Sequence, residues 1–385
     1  MALAEVTGTR SPRVADRVLA ARPTILVVVA WVVSRTILLG TASATAHDAG
    51  YRLVDVLGQW DVKHFATIAA QGYLPDPQEM AFFLGLPLLM RAGMVLGLDP
   101  VWTGVLVSLV GSALAAWALV RIGGPWAAVF WLFAPTAIFT AVGYTEALFC
   151  AAAFWAWERA RADHWAQAAV LAGLASTLRV SGVFLVGALA LLALTWPAAR
   201  HRRLGERIRA ALVRGAWLLV PIAVVGAYAV HLWMLTGSWT AWFSAQEAGW
   251  QRTMTLPWES VRATLEAVRP GGYADQNGWG TMFRLELVAF AVGLLTTGWM
   301  LRRRRWAEAG WVGVQVLAFS LSPWLMSVNR AVLLWFPTWV ILGEVAERPG
   351  PGRTNRRILL AGWGMVSAVT MVWWARTFAL GRWAS

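Results

Sequence analysis

A single cysteine, Cys150, and a single lysine, Lys63, occur among 385 residues. One cysteine excludes an intramolecular disulfide framework and a thiolate metal centre. Charge is scarce as well: 14% of residues are charged, against roughly 25% in an ordinary soluble domain. With 58% hydrophobic residues and a mean hydropathy of +0.56, that scarcity excludes a chain built of soluble domains. Histidines are few, and no two have metal-ligand spacing, so neither a metal nor another cofactor is called for. Heptads, low-complexity tracts and an obvious inverted repeat are also missing, which removes coiled coils and the internal symmetry of many transporters.

What is abundant is hydrocarbon. Apolar runs of roughly 18 residues or more have the length of bilayer spans. The 27 tryptophans suit interfacial belts. An all-α polytopic membrane protein is the expected fold class. The net charge of +13 raises the question of nucleic acid. The arginines, however, fall in short loops between apolar runs, as the positive-inside bias requires, and no basic–aromatic recognition motif accompanies them. Nucleic acid is therefore not an expected partner. Arginine in place of lysine, with much Ala, Gly and Trp, is the composition of a GC-rich bacterial genome, so a bacterial plasma membrane is the expected location.

The basic loops set the orientation. Residues 1–23, with Arg10, Arg13, Arg17 and Arg22, read as a cytoplasmic tail before the apolar run Thr24–Gly40. Thr41–Ala46 resembles a signal-peptidase site, but Ser34 and Arg35 interrupt the apolar core and favour a retained helix. Residues 45–100 form a first outer loop. Within it Ala81–Leu98 is broken by Gly85, Pro87, Arg91 and Gly93, which suits an interfacial or re-entrant segment with juxtamembrane helices. Alternating signs then give roughly eleven spans in one membrane domain covering 1–385. The most basic cytoplasmic loop is Arg200–Arg214, and a second large outer loop covers 237–280. This orientation uses basic loops alone, yet it puts Asp61, His64, Glu146, Arg179 and Arg330 at or near one side, the extracytoplasmic one.

The polar stretch Gln59-Trp60-Asp61-Val62-Lys63-His64-Phe65 follows the first span. As a helix it puts Trp60, His64 and Ile68 on one face and Asp61 three residues from His64. Asp61 reads equally as a general base for a hydroxyl and as a helix N-cap or surface charge. Glu146 suits a helix N-terminus, where the macrodipole favours a carboxylate; its other reading is to position an acceptor or Lys63. Arg179 interrupts the apolar stretch Ala166–Ala193 and reads as an anion-binding residue in preference to a snorkelling turn residue, with Ser181 adding a hydroxyl and Gly182 letting a phosphate approach the backbone. Arg330 repeats the pattern at lower strength after Ser327 and Asn329, and reads either as neutralising a second phosphate oxygen or as anchoring its helix at the interface. Arg35 is either cavity-facing or snorkels outward. His64 holds substrate or is simply a hydrogen-bonded surface histidine, and the Trp-rich loop 237–280 stacks sugars or anchors at the interface.

These stretches resemble one family. Trp60-Asp61, His64-Phe65, Ile68-Ala69 and Gly72-Tyr73 are similar to the first-loop signature of the PIG-V-like mannosyltransferases. Phe82–Pro87, Ala134-Pro135 with Phe139, Tyr144–Phe149, Arg179–Gly182 and Ser327…Arg330…Phe336-Pro337 resemble its later elements, in order along most of the chain. Leu84, Leu86, Ala134 and Ala331 depart from the pattern. The resemblance implies a GT-C membrane fold, a polyprenyl-phosphate-linked mannose donor and an extracytoplasmic site.

On that reading Asp61 is the catalytic base. Arg179, Arg330 and Ser181 bind the donor phosphate, while Trp60, Lys63, His64, Tyr144 and Glu146 contact substrate. The acceptor is a glycolipid, glycan or protein, and membrane lipids surround the fold. A lipid-linked glycan transporter or flippase and a non-catalytic membrane subunit are the alternatives. A transporter would spread ionisable residues along a midplane path rather than gather them on one face.

Overall fold

The computed structural model describes residues 14–73, 76–195, 204–273, 278–348 and 353–384. The expected tail up to residue 13, Pro75, the start of the basic loop at 200–203, and short stretches of the later loops at 274–277 and 349–352 lie outside the described residues. Among the described residues all regular structure is helical, with no strand. Five helices are long and apolar enough to cross a membrane by length and composition: Thr24–Ala49, Pro100–Gly123, Ile208–Thr236, Trp279–Arg302 and Ile358–Ala379. Their outer faces expose Val28, Leu106, Ile222, Leu295 and Val369. An apolar surface of that kind suits hydrocarbon rather than water. The chain is a polytopic all-α membrane protein.

The other expected spans are shorter or broken, and each break has a cause. The apolar run Trp126–Val142, one of the roughly eleven spans expected from sequence, is not one helix: Pro125–Leu132 ends before Pro135, and a short 3-10 turn, Ala137–Thr140, follows. Proline has no N–H with which to continue the ladder, so carbonyls are freed there. Arg35 takes them. From the buried face of the first span it donates to Leu132 O at 3.2 Å, Thr140 O at 3.0 Å and Thr140 Oγ1 at 2.6 Å. Arg35 therefore neither lines a cavity nor snorkels outward, because the broken helix supplies its partners.

The first helix runs unbroken through Thr41–Ala46, with Ala42, Thr45 and Ala46 buried. Ala81–Leu98 folds as the helix Gly85–Val95, too short to span. It buries Leu86 and Met90 and exposes Leu88, Leu89 and Val95, an arrangement for lying along an interface.

Close helix packing places the polar residues. Pro100–Gly123 lies against Glu146–Arg161 along the small residues Gly104, Ser108, Gly111 and Ala115, which let backbones approach. A Cβ on Gly111 would stand 3.0 Å from the carbonyl carbon of Ala147, and one on Gly104 would stand 2.8 Å from Cα of Gly143. That contact fixes the segment that carries Tyr144, Thr145 and Glu146.

Candidate active site

Trp60 has φ 56° and ψ −128°, a conformation that L-residues adopt only under constraint. It turns the chain so that Asp61 begins the helix Asp61–Gln71, here called the site helix. The Asp61 backbone N–H donates to the Tyr144 hydroxyl at 3.2 Å. Its carboxylate Oδ2 accepts from Arg330 Nη1 at 2.6 Å. Arg330 Nε stands 3.3 Å from Glu146 Oε1, and that same oxygen accepts from Arg179 Nη1 at 2.5 Å. Arg179 also donates to Thr145 Oγ1 at 3.4 Å.

The result is one continuous chain of charge, Asp61–Arg330–Glu146–Arg179, built from four separate stretches of sequence. Glu146 is fully buried beneath it, while the Asp61 side chain keeps 20% of its surface and so can meet a substrate. The Arg330 guanidinium lies over the rings of Tyr144 and Phe139, at 5.3 and 5.7 Å. Burial disfavours its charge, but the Asp61 and Glu146 carboxylates outweigh burial and raise its affinity for the proton above that of an ordinary arginine. Burial pushes the Tyr144 phenol well above its usual range, so it stays a neutral hydroxyl.

Arg330 is held in place by a residue the sequence reading passed over. Ser327 has φ 66°, and the short helix Val328–Ala331 follows it. Glu286, fully buried within the span Trp279–Arg302, accepts from the amides of Ser327 at 2.9 Å, Val328 at 2.7 Å and Asn329 at 3.1 Å, and from Asn329 Nδ2 at 2.9 Å. The signal was available, since a carboxylate inside a span is a functional-site candidate by default. Arg252 was missed too. It lies between the helices Ala241–Trp250 and Pro257–Ala267, and burial together with the charges of Arg330 and Arg179 lowers its pKa to about 10.

The remaining predicted residues divide. Trp60 borders Asp61 and is partly exposed. His64 sits one turn along the site helix, but its partner is Glu79, with Nδ1 3.0 Å from Oε1. Its ring stacks on Phe82 at 4.9 Å and tilts against Trp250 at 5.8 Å. The hydrogen bond to Glu79 raises the His64 pKa against the opposing effect of burial. Lys63 is exposed and makes no contact with the charge network. Ser181 is buried at the start of the helix Ser181–Leu194.

Gly182 serves a different purpose from the one its sequence suggested. A Cβ there would fall 2.5 Å from Cα of Ser176, so the backbone that approaches it is the chain's own and leaves no room for a phosphate. Gly85 works the same way: its N–H donates to Thr177 O at 2.8 Å, docking the Phe82–Pro87 element on the turn before Arg179. No group of three or more His, Cys, Asp or Glu able to hold a metal occurs among the described residues.

Fold and site together define a polytopic helical membrane protein with an ion-paired polar centre assembled between its helices. No family model matches the chain. Part of the sequence is 36% identical over 155 residues to GPI alpha-1,6-mannosyltransferase 2 of Mus musculus, and equally to that of Cricetulus griseus. It is 31% identical over 154 residues to the Homo sapiens protein of the same name. The match covers 35% of this chain and 31% of each relative, so it spans about a third of their length. The similarity is thus to part of a mannosyltransferase, over part of this chain.

Proposed function

We propose that the protein is an inverting mannosyltransferase that uses a polyprenyl-phosphate-linked mannose donor. The observation that carries this reading is the Asp61–Arg330–Glu146–Arg179 chain, in which the partly open carboxylate is the one at the start of the site helix. Asp61 takes the proton of an acceptor hydroxyl as that oxygen attacks the anomeric carbon. The bond from that carbon to the phosphate oxygen breaks, and polyprenyl phosphate leaves with its electron pair. A phosphate is already a good leaving group, so no second carboxylic acid is required, unlike glycoside hydrolysis. Arg179 and Arg330 orient the carboxylates and, through their remaining N–H groups, offer positive charge to the leaving phosphate.

The lipid tail of such a donor stays in the bilayer beside the apolar helices, which is the physical reason for doing this chemistry on a membrane fold of the GT-C type. The site faces the extracytoplasmic side of a bacterial plasma membrane, and the acceptor is a glycolipid, glycan or protein there. Trp60 and His64 border Asp61 and contact sugar or acceptor.

The test is transfer of label from polyprenyl-phosphate-[14C]mannose into a membrane lipid extract by the purified protein and by Asp61→Asn. Transfer that the substitution removes supports the reading, and the labelled product identifies the acceptor. Binding of lipid-linked sugar without transfer from any donor in a panel would overturn it in favour of a transporter or a non-catalytic subunit.

A further inference from the structure

The charges of the site nearly all answer one another. Arg330 meets Asp61 and Glu146, and Arg179 meets Glu146. Glu286 spends its oxygens on three backbone amides and the Asn329 amide. Arg252 is left over. Among the described residues its side chain makes no ion pair or hydrogen bond, and its Nε is shut off from solvent. The charges it feels are Arg330 and Arg179, which repel it, and Asp61 and Glu286, whose attraction is weaker. Arg252 is only partly buried, and its loop joins the site at Trp250, whose ring lies 5.8 Å from that of His64 and 5.2 Å from that of Phe82, so a cation without a partner stands there to receive an anion.

The loop that carries Arg252 is pinned, with Thr255 N–H donating to Leu321 O at 3.1 Å. The Thr255 hydroxyl is a second buried polar group on this loop without a partner. Between and beyond them the loop turns apolar and exposed at Met254, Leu256 and Trp258. At Pro257 it enters a mostly apolar groove of about 540 Å³, bounded by Trp258, Val261, Leu265 and Phe290, with Arg262 and Arg269 also in its wall. A cation with no partner among the described residues therefore sits at one end of a loop whose other end meets a mostly apolar groove.

We infer that Arg252 is the principal contact for the phosphate ester of a lipid-borne substrate, with the lipid chain leaving along the groove at Trp258 and Phe290. A phosphate has enough acceptor oxygens to take N–H groups from Arg252 and from the uncommitted nitrogens of Arg330 and Arg179 together. Arg179 and Arg330 are then chiefly the holders of the carboxylates. The inference rests on the lipid-phosphate donor proposed above. It assigns the phosphate to a residue outside the motifs that suggested that donor.

The test is binding rather than turnover. The full-length protein in nanodiscs of zwitterionic lipid is titrated with polyprenyl monophosphate, uncharged polyprenol, phosphatidylglycerol and inorganic phosphate, and followed by tryptophan fluorescence and thermal shift. Arg252→Gln should weaken polyprenyl monophosphate at least tenfold, Arg252→Lys should weaken it less, and polyprenol binding should not change. Without ligand, Arg252→Gln should melt at or above the wild-type temperature, because it removes an unanswered charge; a merely structural arginine would lower it.

Monophosphate binding that Arg252→Gln leaves unchanged overturns the inference, as does wild-type protein that binds polyprenol and its monophosphate alike. Phosphatidylglycerol or inorganic phosphate binding as tightly, with the same dependence on Arg252, overturns the lipid-linked substrate and leaves a general headgroup or free-phosphate site. Arg252-dependent binding in a protein that transfers no sugar upholds the inference while the proposed reaction fails.

Discussion

Arg330 Nη1 and Asp61 Oδ2 meet at 2.6 Å although 269 residues separate them in the chain. A charge-assisted bond of this length orients the carboxylate and leaves its other oxygen for an incoming hydroxyl. Tyr144 holds the same residue from behind through the Asp61 amide. Asp61 is thus fixed at both backbone and side chain, which the general base proposed above requires before its proton affinity matters.

Asp61→Asn keeps the shape of this arrangement and removes the ability to accept a proton. Transfer should fall by about 10²–10⁴-fold, the usual worth of a general base. Donor affinity should stay within a few-fold and the melting temperature within a few degrees. Single-turnover transfer and a thermal melt check both halves. Retained turnover would remove Asp61 from proton transfer.

Glu286 acts on Arg330 through the backbone. Glu286→Gln leaves one carbonyl acceptor for several amides and takes away the charge that binds them. Hydrogen bonds to a charged group contribute about 1.5–3 kcal/mol each, so a loss on the order of 2–3 kcal/mol of stability is expected. Because the lost order lies in the segment bearing Arg330, kcat should fall in the protein that remains folded. Denaturant melts in detergent and transfer assays on the folded fraction test this; a loss of stability with unchanged kcat would make Glu286 structural only.

How much of this was legible in sequence depends on range. The membrane class followed from composition and run length, and Trp60-Asp61, Tyr144–Glu146, Arg179 and Arg330 stood out as polar interruptions of apolar sequence. Their meeting could only be expected, because ion pairs between distant segments leave no local period. Glu286 was visible as a lone carboxylate in its span, but its role was not, because its amide partners lie some forty residues on. Arg252 was masked by tryptophans that drew attention to stacking. Several spans proved shorter or broken because apolar content reports burial as readily as bilayer crossing: Trp131 and Phe139 are buried against protein on either side of the Pro135 break.

The His64–Glu79 pair carries a pH dependence of definite sign. The His64 pKa is raised above its ordinary 6.5 in the folded protein, chiefly by the hydrogen bond to Glu79. Its contribution to stability is therefore complete below about pH 6.5 and is lost as pH rises through the raised folded value. Melting temperature should decline on going from about pH 6 to pH 8, and His64→Gln should flatten that part of the profile. A wild-type and His64→Gln pair with parallel profiles would exclude the linkage.

Gly104 gives the sharpest test of how helix packing serves the site. A methyl group there would press on Cα of Gly143 at 2.8 Å and on Cε of Met90 at 2.5 Å. The methionine can swing away, but the backbone at Gly143 cannot move without carrying Tyr144, whose hydroxyl holds the Asp61 amide. Overpacking of this kind costs about 1–3 kcal/mol. Gly104→Ala should therefore lower both melting temperature and transfer rate, the latter through a displaced Asp61. Gly40, exposed on the first span with nothing within 4 Å of a Cβ, supplies the contrast. Alanine there relieves backbone entropy in a helix by up to about 1 kcal/mol and meets no neighbour. Gly40→Ala should melt at the wild-type temperature or above and transfer sugar at the wild-type rate. Equal behaviour of the two variants would mean that the Gly104–Gly143 contact does not set the position of Asp61.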